Sequence, residues 1–467
     1  MHRHRIASGA RCAQSFVMSS VIWFAITPGV LLFGQSDPGP RPGPPAAGRP
    51  LPGLTPTELA TFQAGLQRFT RVDTVSTGLG PRFNSNSCVS CHSQPIAGGS
   101  SPSLHSPQNP QVNPQIAVAT LAGATNTIPS FVQPDGPVVA VRFVNNSDGT
   151  PDGGVHDLFV ISGRTDAGTC NIIQPDFAGA LAANNLILRI PTPLFGAGLM
   201  EAIPDGAILA NQTANAAQKA ALGISGHANR SANDGTITRF GWKAQNKSLL
   251  VFAGEAYNVE IGVTNELFPT ERDVTPSCQL NPLPEDQTDF TQASPVAAMS
   301  DILGFSEFMR WLAPSASAQA PPPSPAPGGP PAPPPPQNPA VARGQQVFNQ
   351  IGCALCHTPV MATGATTSAA LNHQPVALYS DLLVHHMGTG LADGITQGLA
   401  TGDEFRSAPL WGLGQRIYFL HDGRTTDLTQ AIGAHASTGS EATGVVGAYQ
   451  TLPAQSVQDL LTFLRSL

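Results

Sequence analysis

Two copies of a short motif, Cys-x-x-Cys-His, have a spacing that suits one particular chemistry. They occupy residues 88–92 and 353–357. In such a motif, each cysteine can form a thioether with one vinyl group of a haem, and the adjacent histidine then ligates the iron. With seven cysteines and 12 histidines in 467 residues, roughly 0.003 such motifs are expected by chance. The sequence therefore predicts two covalently bound haems of the c type, whose binding residues are Cys88, Cys91, His92, Cys353, Cys356 and His357.

The alternative for a Cys-x-x-Cys pair is a zinc site or a redox dithiol. Zinc would require a second cysteine pair at each site. Of the three remaining cysteines, Cys12 belongs to the predicted export segment, and Cys170 and Cys278 are single and far apart in the sequence. Haem is therefore the favoured interpretation. In an oxidising compartment Cys170 and Cys278 could form a disulfide, and the alternative is two buried thiols.

The function of each haem depends on its second axial ligand. A filled position makes an electron carrier, whereas an open one permits chemistry on peroxide or dioxygen. The candidate ligands are His105, His156 and His227 in the first half, and His373, His385, His386, Met387, His421 and His435 in the second.

A similar helix is predicted before each motif. Gly65 precedes Phe69 by four residues, and Gly344 precedes Phe348 in the same way. A small residue allows two helices to cross closely, and the apolar stripe of the C-terminal segment 457–464 predicts an amphipathic helix that could be the partner. Terminal helices that cross at a glycine and an aromatic residue resemble the small cytochrome c fold.

Composition divides the chain. Three arginines precede an apolar stretch, as in an export signal or an uncleaved membrane anchor. Pro/Gly-rich runs predict a tether and a linker. The net charge of −7 without a basic run makes nucleic acid an unexpected partner. The predicted segments are an export segment (1–34), a tether (35–54), an N-terminal haem domain with a large insertion (55–312), a linker (313–340) and a C-terminal cytochrome c domain (341–467).

Several stretches resemble the di-haem oxidoreductase family of peroxidase-like proteins, which is related to bacterial di-haem cytochrome c peroxidases and MauG-type enzymes. They occur in the family's order and cover most of both halves. The stretches are PRFNSNSCVSCHSQP, FGAGLMEAIPD, TRFGWKAQ, IGVTNELFP, GCALCHTP, YSDLLVHHMGTGLAD and FRSAPLWGLGQRIYFLHDGRTTDLTQAI.

This resemblance implies particular roles at the two sites. It places the distal ligand of the C-terminal haem at His435, with Met387 as the competing residue. It also implies that Glu201 is the catalytic acid over an open N-terminal haem, because cleavage of an O–O bond requires a carboxylate that can move a proton. His105 could be a displaceable ligand there, but a loop histidine is the favoured interpretation.

The resemblance also bears on groups around the haems. Relatives have a tryptophan between the haems, but the position expected here, before Gly163, holds none. Trp242 or Trp411 could be the substitute, and core packing is the alternative for each. Calcium is a further cofactor candidate, with the loop 145–154 as its site, although a simple turn is favoured there. The arginines that could pair with haem propionates are Arg164, Arg239 and Arg406.

Together these features predict a mainly α protein with two cytochrome c-like domains, long irregular insertions and Pro-rich linkers. The expected function is a periplasmic or otherwise exported oxidoreductase that reduces peroxide or another small oxidant at the N-terminal haem. Electrons would come through the C-terminal haem from a small redox protein or a quinol-linked donor. The membrane is a partner only if the N-terminal segment is uncleaved. The alternatives are an electron-transfer cytochrome with both irons six-coordinate and an oxygenase acting on an organic substrate.

Overall fold

A computed structural model describes residues 35–42, 47–317 and 338–467. The predicted export segment and most of the predicted linker lie outside these residues. Residues 35–467 form one contact-dense unit. No helix in the described ranges is both long enough and apolar enough to cross a membrane.

Helices outweigh strands, and the strands are only two to four residues long. The α-helices are α1 (Pro56–Thr70), α2 (Cys88–Cys91), α3 (Gln115–Val118), α4 (Phe177–Ala182), α5 (Ala197–Glu201), α6 (Asp205–Thr213), α7 (Ala216–Leu222), α8 (Leu249–Ala256), α9 (Pro295–Ala298), α10 (Asp301–Trp311), α11 (Pro339–Gln350), α12 (Leu428–Ala434), α13 (Thr443–Gln450) and α14 (Ala454–Ser466). The strands are β1 (Arg82–Phe83), β2 (Ala140–Phe143), β3 (Val155–His156), β4 (Phe159–Val160), β5 (Leu186–Arg189), β6 (Met361–Ala362), β7 (Pro375–Val376), β8 (Val384–His386) and β9 (Glu404–Arg406).

In the first half, α1 packs across α10 at two facing glycines. A Cβ atom on Gly65 would overlap the backbone carbonyl of Gly304, so neither helix could approach as closely with a larger residue. One turn further along α1, the ring of Phe69 lies 4.7 Å from that of Phe308. The helix before the first haem motif therefore has the close glycine crossing that its sequence predicts.

The second half repeats this arrangement with α11 and α14. A Cβ atom on Gly344 would overlap the carbonyl of Asp459 in α14, and the rings of Phe348 and Phe463 are 5.4 Å apart. The apolar stripe of α14 is buried, as its spacing predicts. Each Cys-x-x-Cys-His motif thus follows a helix that is held by a crossing partner from further along the chain.

The segment between α2 and α10 is more ordered than the irregular insertion that we expected from the sequence. It contains the antiparallel sheet β3-β2-β5 and several short helices. Cys170 and Cys278 form a disulfide across 108 residues. Of the two alternatives for these cysteines, the structure therefore contains the disulfide and not two buried thiols. The larger of the hydrophobic cores combines residues from both sides of the predicted linker, including Phe83 and Leu383.

Candidate haem sites

The first motif lies on α2, a single helical turn that ends at His92. Because this turn is short, Cys88, Cys91 and His92 are presented along one wall of a cavity of about 180 Å³. The Nδ1 atom of His92 lies 3.0 Å from the carbonyl oxygen of Gly99. If Nδ1 donates this hydrogen bond, Nε2 is left with its lone pair, as an axial iron ligand requires. Burial lowers the pKa of His92 to about 4, so its imidazole is neutral at physiological pH.

The second motif has the same local design. Cys353, Cys356 and His357 border a largely apolar cavity of about 230 Å³. The Nδ1 atom of His357 lies 3.0 Å from the carbonyl oxygen of Tyr379, which again leaves Nε2 available. Burial is also the largest cause that lowers the pKa of His357, to about 4. None of the four motif cysteines forms a disulfide, as thioether attachment requires.

His435 and Met387, the two residues considered as second ligand of the C-terminal haem, both line the cavity at His357. The Nδ1 atom of His435 lies 2.7 Å from the carbonyl oxygen of Ala431, one turn earlier in α12. This hydrogen bond leaves Nε2 free, and burial lowers the pKa of the imidazole. His435 also lies close enough to His357 to lower its pKa electrostatically. These contacts favour His435, whereas Met387 is held mainly through its backbone.

The cavity at His357 fits an anionic, planar group such as haem. The Nη2 atom of Arg416 is buried there and has no hydrogen-bond partner in the described part of the chain. A buried guanidinium nitrogen without an acceptor is costly, and a propionate would satisfy it. Arg406 lines the same cavity, as the sequence suggested. The other two arginines proposed for propionates lie elsewhere: Arg164 pairs with Asp166, and Arg239 binds the carbonyl oxygen of Ile203 and the carboxylate of Asp205.

Glu201 does not line the cavity at His92, contrary to the catalytic position that the resemblance implied. It ends α5 with its side chain directed to other elements. Its Oε1 accepts a hydrogen bond from the backbone N–H of Leu249 at 2.8 Å, and its Oε2 lies 3.2 Å from Nε of Arg310. The carboxylate therefore connects the first residue of α8 with Arg310 in α10, which is a structural role.

The acid that does line this cavity is Glu260. It lies in a π-helical turn, Tyr257–Ile261, that directly continues α8. Its backbone carbonyl accepts from the N–H of Asn84, and its carboxylate accepts from Nδ2 of Asn84 at 2.8 Å. Burial raises the pKa of Glu260. One signal in the sequence points to Glu260, because it stands immediately before the family-like stretch IGVTNELFP.

Trp242 lies at the wall shared by the two cavities. Its side chain lines both of them, and its Nε1 donates a hydrogen bond of 2.8 Å to the carbonyl of Ile190. The guanidinium of Arg416 lies 5.7 Å from its ring centre. Trp411, the other tryptophan considered, lines neither of the two haem cavities in the described residues. Trp242 is therefore the tryptophan whose position matches that of a bridge.

The remaining candidates have other partners. His105 is exposed and its backbone N–H donates to Ser103. In the loop proposed for calcium, Asp148 caps Thr150, and Asp152 pairs with His156. Among the described residues, no three or more His, Cys, Asp or Glu side chains lie close enough together to bind a metal ion. The remaining second-half histidines also have local environments: His385 pairs with Asp381 and Glu441, His386 pairs with Asp403, His421 stacks on Phe405, and His373 is exposed.

Two solved structures that match the chain are distantly similar to it. A MauG-like protein associated with microbial copper homeostasis is 19% identical, and the match covers 38% of this chain and 55% of that chain, with a TM-score of 0.25. The chain thus spans about half the length of that protein. Hydrazine synthase of Kuenenia stuttgartiensis is 14% identical, with 98% of this chain and 100% of that chain covered and a TM-score of 0.33. No curated protein matches the chain significantly.

The family comparison is more informative. The family described as "Di-haem oxidoreductase, putative peroxidase" matches residues 156–290 and 330–467, which is more than half of the chain. The matched residues include the second motif, His435, Trp242 and Glu260. The first motif, 88–92, precedes the matched residues and is recognised from its own sequence. With the cavities and the two motifs, this match assigns the chain to the di-haem oxidoreductase family, whose cofactors are haems.

Proposed function

We propose that this protein is an exported c-type di-haem peroxidase with two cytochrome c-like units. One observation carries the proposal, namely that the two cavities differ. The cavity at His357 is lined by three further imidazoles, those of His385, His421 and His435, of which His435 is the predicted second ligand. The cavity at His92 contains, among the described residues, no second imidazole but the buried carboxylate of Glu260. The first arrangement suits electron transfer and the second suits chemistry on a small oxidant.

The residues of each motif would hold the cofactor. The two cysteines of a motif would form thioethers, and His92 and His357 would be the proximal ligands. When bound, haem supplies the electron exchange and the binding of the oxidant. At the C-terminal site, His435 would complete a bis-histidine ligation, and Arg406 and Arg416 would pair with the propionates.

Glu260 would hold and move the proton in peroxide reduction. Conversion of hydrogen peroxide to two water molecules requires two electrons and two protons, and one proton must reach the departing oxygen as the O–O bond breaks. Because burial raises its pKa, Glu260 retains a proton at a higher pH than an exposed glutamate would. The apolar residues around it, such as Phe252 and Ile261, limit the access of bulk water.

Trp242 would connect the two sites electronically. Its ring lines both cavities, so it lies on the direct route between the two cofactors. Its N–H is fixed by the carbonyl of Ile190, which holds the ring in one orientation. Electrons would enter at the C-terminal site from a small redox protein or a quinol-linked donor. The disulfide is consistent with the oxidising compartment that an export segment predicts.

An electron-transfer cytochrome remains the second candidate, because of Met309. Its thioether lines the cavity at His92 and could be a sixth ligand. However, Met309 is one turn after Phe305 in α10, and Phe305 packs on Phe69. The ring centre of Phe69 lies 6.1 Å from that of His92. This chain of contacts supports a packing role for Met309 on the side of His92 rather than ligation.

Electron paramagnetic resonance of the purified holoprotein tests the proposal. The protein would be examined fully oxidised and half-reduced, with and without hydrogen peroxide. We expect a high-spin ferric signal in at least one state that disappears when peroxide is added. Two low-spin signals that do not respond to peroxide in either state would contradict the peroxidase and favour the electron carrier. The Met309→Leu variant is the control, because a change from low to high spin in this variant would identify Met309 as the ligand.

A further inference from the structure

Tyr257 lies beside the same cavity but has no part in the function proposed above. It opens the π-helical turn that carries Glu260, and its side chain is only 1% exposed. Its ring lines the cavity at His92 and packs edge-on against Phe305, with the ring centres 5.0 Å apart. Single π-helical turns are rare and occur frequently at functional sites.

The hydroxyl of Tyr257 points away from the cavity into a cluster of charges. It accepts a hydrogen bond of 2.8 Å from Nη2 of Arg71. It can donate to Oδ2 of Asp301 at 3.2 Å or to Oδ2 of Asp73 at 3.4 Å. Arg71 is in turn paired with both carboxylates. One side chain thus joins the haem cavity to two buried or half-buried bases.

This environment distinguishes Tyr257 from the other three tyrosines. The hydroxyl of Tyr418 contacts a backbone carbonyl and Ser103, and that of Tyr379 contacts Gln345. In the described part of the chain, no carboxylate lies within hydrogen-bond distance of the Tyr379, Tyr418 or Tyr449 hydroxyl. Carboxylate bases are therefore provided for one tyrosine, the one that lines the cavity.

The chemistry of a phenol explains why such a base matters. Burial raises the pKa of Tyr257 well above its usual value, so the resting residue is neutral. A phenol that loses one electron becomes a strong acid, and its oxidation is feasible in a buried site only if a hydrogen-bonded base accepts the proton. Asp301 and Asp73 are placed to accept it, and the positive charge of Arg71 keeps them together.

The cluster also reaches the surface. The side chain of Arg71 is 37% exposed, and the adjacent Val72 is 58% exposed. A molecule at this surface would be separated from Tyr257 by the thickness of one side chain. An aromatic ring could pack on the exposed part of the Arg71 guanidinium.

We propose that Tyr257 is a redox-active tyrosine through which a phenolic donor at the Arg71–Val72 surface is oxidised one electron at a time. The inference rests on the proposed function, because hydrogen peroxide is the oxidant. Tyr257 gives one electron to the oxidised N-terminal site and its proton to Asp301, which leaves a neutral tyrosyl radical and a carboxylic acid. The phenol then gives an electron to the radical and releases its own proton to water, while Asp301 returns the proton to Tyr257.

The experiment mixes the diferric holoprotein with hydrogen peroxide, freezes the samples within milliseconds and records their electron paramagnetic resonance. Wild type would be prepared with ordinary and with ring-deuterated tyrosine, because deuteration narrows the signal of a tyrosyl radical. Tyr257→Phe is the test variant and Tyr418→Phe is the matched control, since both remove one buried hydroxyl. Peroxide consumption and oxidation of 2,6-dimethoxyphenol are measured on the same samples.

We expect a deuterium-sensitive radical in wild type and in Tyr418→Phe, and its loss, with loss of phenol oxidation, in Tyr257→Phe. An unchanged radical in Tyr257→Phe, or no tyrosyl radical while wild type consumes peroxide, would overturn the proposal. If wild type does not consume peroxide, the peroxidase function itself fails. In that case Tyr257 is tested without peroxide, by flash oxidation with photogenerated ruthenium(III) tris-bipyridine. Loss of the radical in Tyr257→Phe would support the role of Tyr257, and an unchanged radical would overturn it.

Discussion

Replacement of Glu260 by glutamine tests which acid serves the N-terminal site. The carboxylate accepts a hydrogen bond from Asn84 at 2.8 Å, and glutamine has the same size, so the packing of the π-helical turn should persist. Glutamine cannot give up or take a proton in this range of pH. A positioned acid–base group contributes roughly 100- to 10,000-fold to a rate. We therefore expect kcat for peroxide reduction to fall by about 100- to 10,000-fold.

The same variant has a predictable effect on stability. Burial raises the pKa of Glu260 in the folded protein above its unfolded value. Such a group contributes stability at low pH, and this contribution is lost as the pH rises through the folded pKa. Glutamine has no such dependence. The stability of Glu260→Gln relative to wild type should therefore increase from acidic to neutral pH, as measured by the midpoint of thermal unfolding at several pH values.

The fall in kcat of Glu260→Gln is measured as peroxide consumption with an excess of reduced donor, at matched haem content. Glu201→Gln is the control, because glutamine can still accept the hydrogen bond from the N–H of Leu249 and only the part-exposed ion pair with Arg310 is lost, with side-chain exposures of 23% and 29%. Loss of such a pair costs about 0–1 kcal/mol of stability, and kcat should not change. If Glu201→Gln lost turnover while Glu260→Gln retained it, the assignment from the cavity would be wrong.

Four further predictions concern the ligand, the bridge, a helix crossing and a buried acid. His435→Gly should convert the C-terminal haem from low to high spin, reversibly on addition of imidazole; an unchanged visible spectrum would point to another ligand. Trp242→Phe should slow electron transfer between the haems in stopped-flow reduction. Because the hydrogen bond from Nε1 to the carbonyl of Ile190 is lost, it should also lower the free energy of unfolding by about 1 kcal/mol. Gly344→Val should lower the free energy of unfolding by about 1–3 kcal/mol or more, because its side chain would overlap the carbonyl of Asp459; an unchanged unfolding midpoint would contradict the crossing. Burial raises the pKa of Asp157 to about 7, so the wild type should lose stability relative to Asp157→Asn as the pH rises from 4 to 7, in denaturant titrations.

The haem motifs could be recognised without the structure because their chemistry is local. Two cysteines and a histidine within five residues necessarily lie on one turn of chain, whatever surrounds them. The crossings at Gly65 and Gly344 could be anticipated for a similar reason, since a small residue on an amphipathic helix marks where another helix can approach. The partner of the first crossing, α10, was not predicted, because no pattern in the sequence of α10 indicates that it packs against α1.

The acid at the N-terminal site could not be identified from the sequence alone. Glu201 lies within one of the family-like stretches, and Glu260 stands immediately before another. Only packing separates them, because the contacts of Glu201 with Leu249 and Arg310 direct its carboxylate away from the cavity. Glu260 reaches the cavity from a π-helical turn, which no sequence pattern predicted.

The sequence by itself determined the number of haem motifs, their proximal histidines and the family, because these depend on residue types at fixed short spacings. The tertiary structure alone decided the long-range relations. These are the disulfide across 108 residues, the position of His435 beside His357, and the place of Trp242 at both cavities. Such relations depend on how distant segments pack, and packing is a property of the whole core rather than of any local pattern.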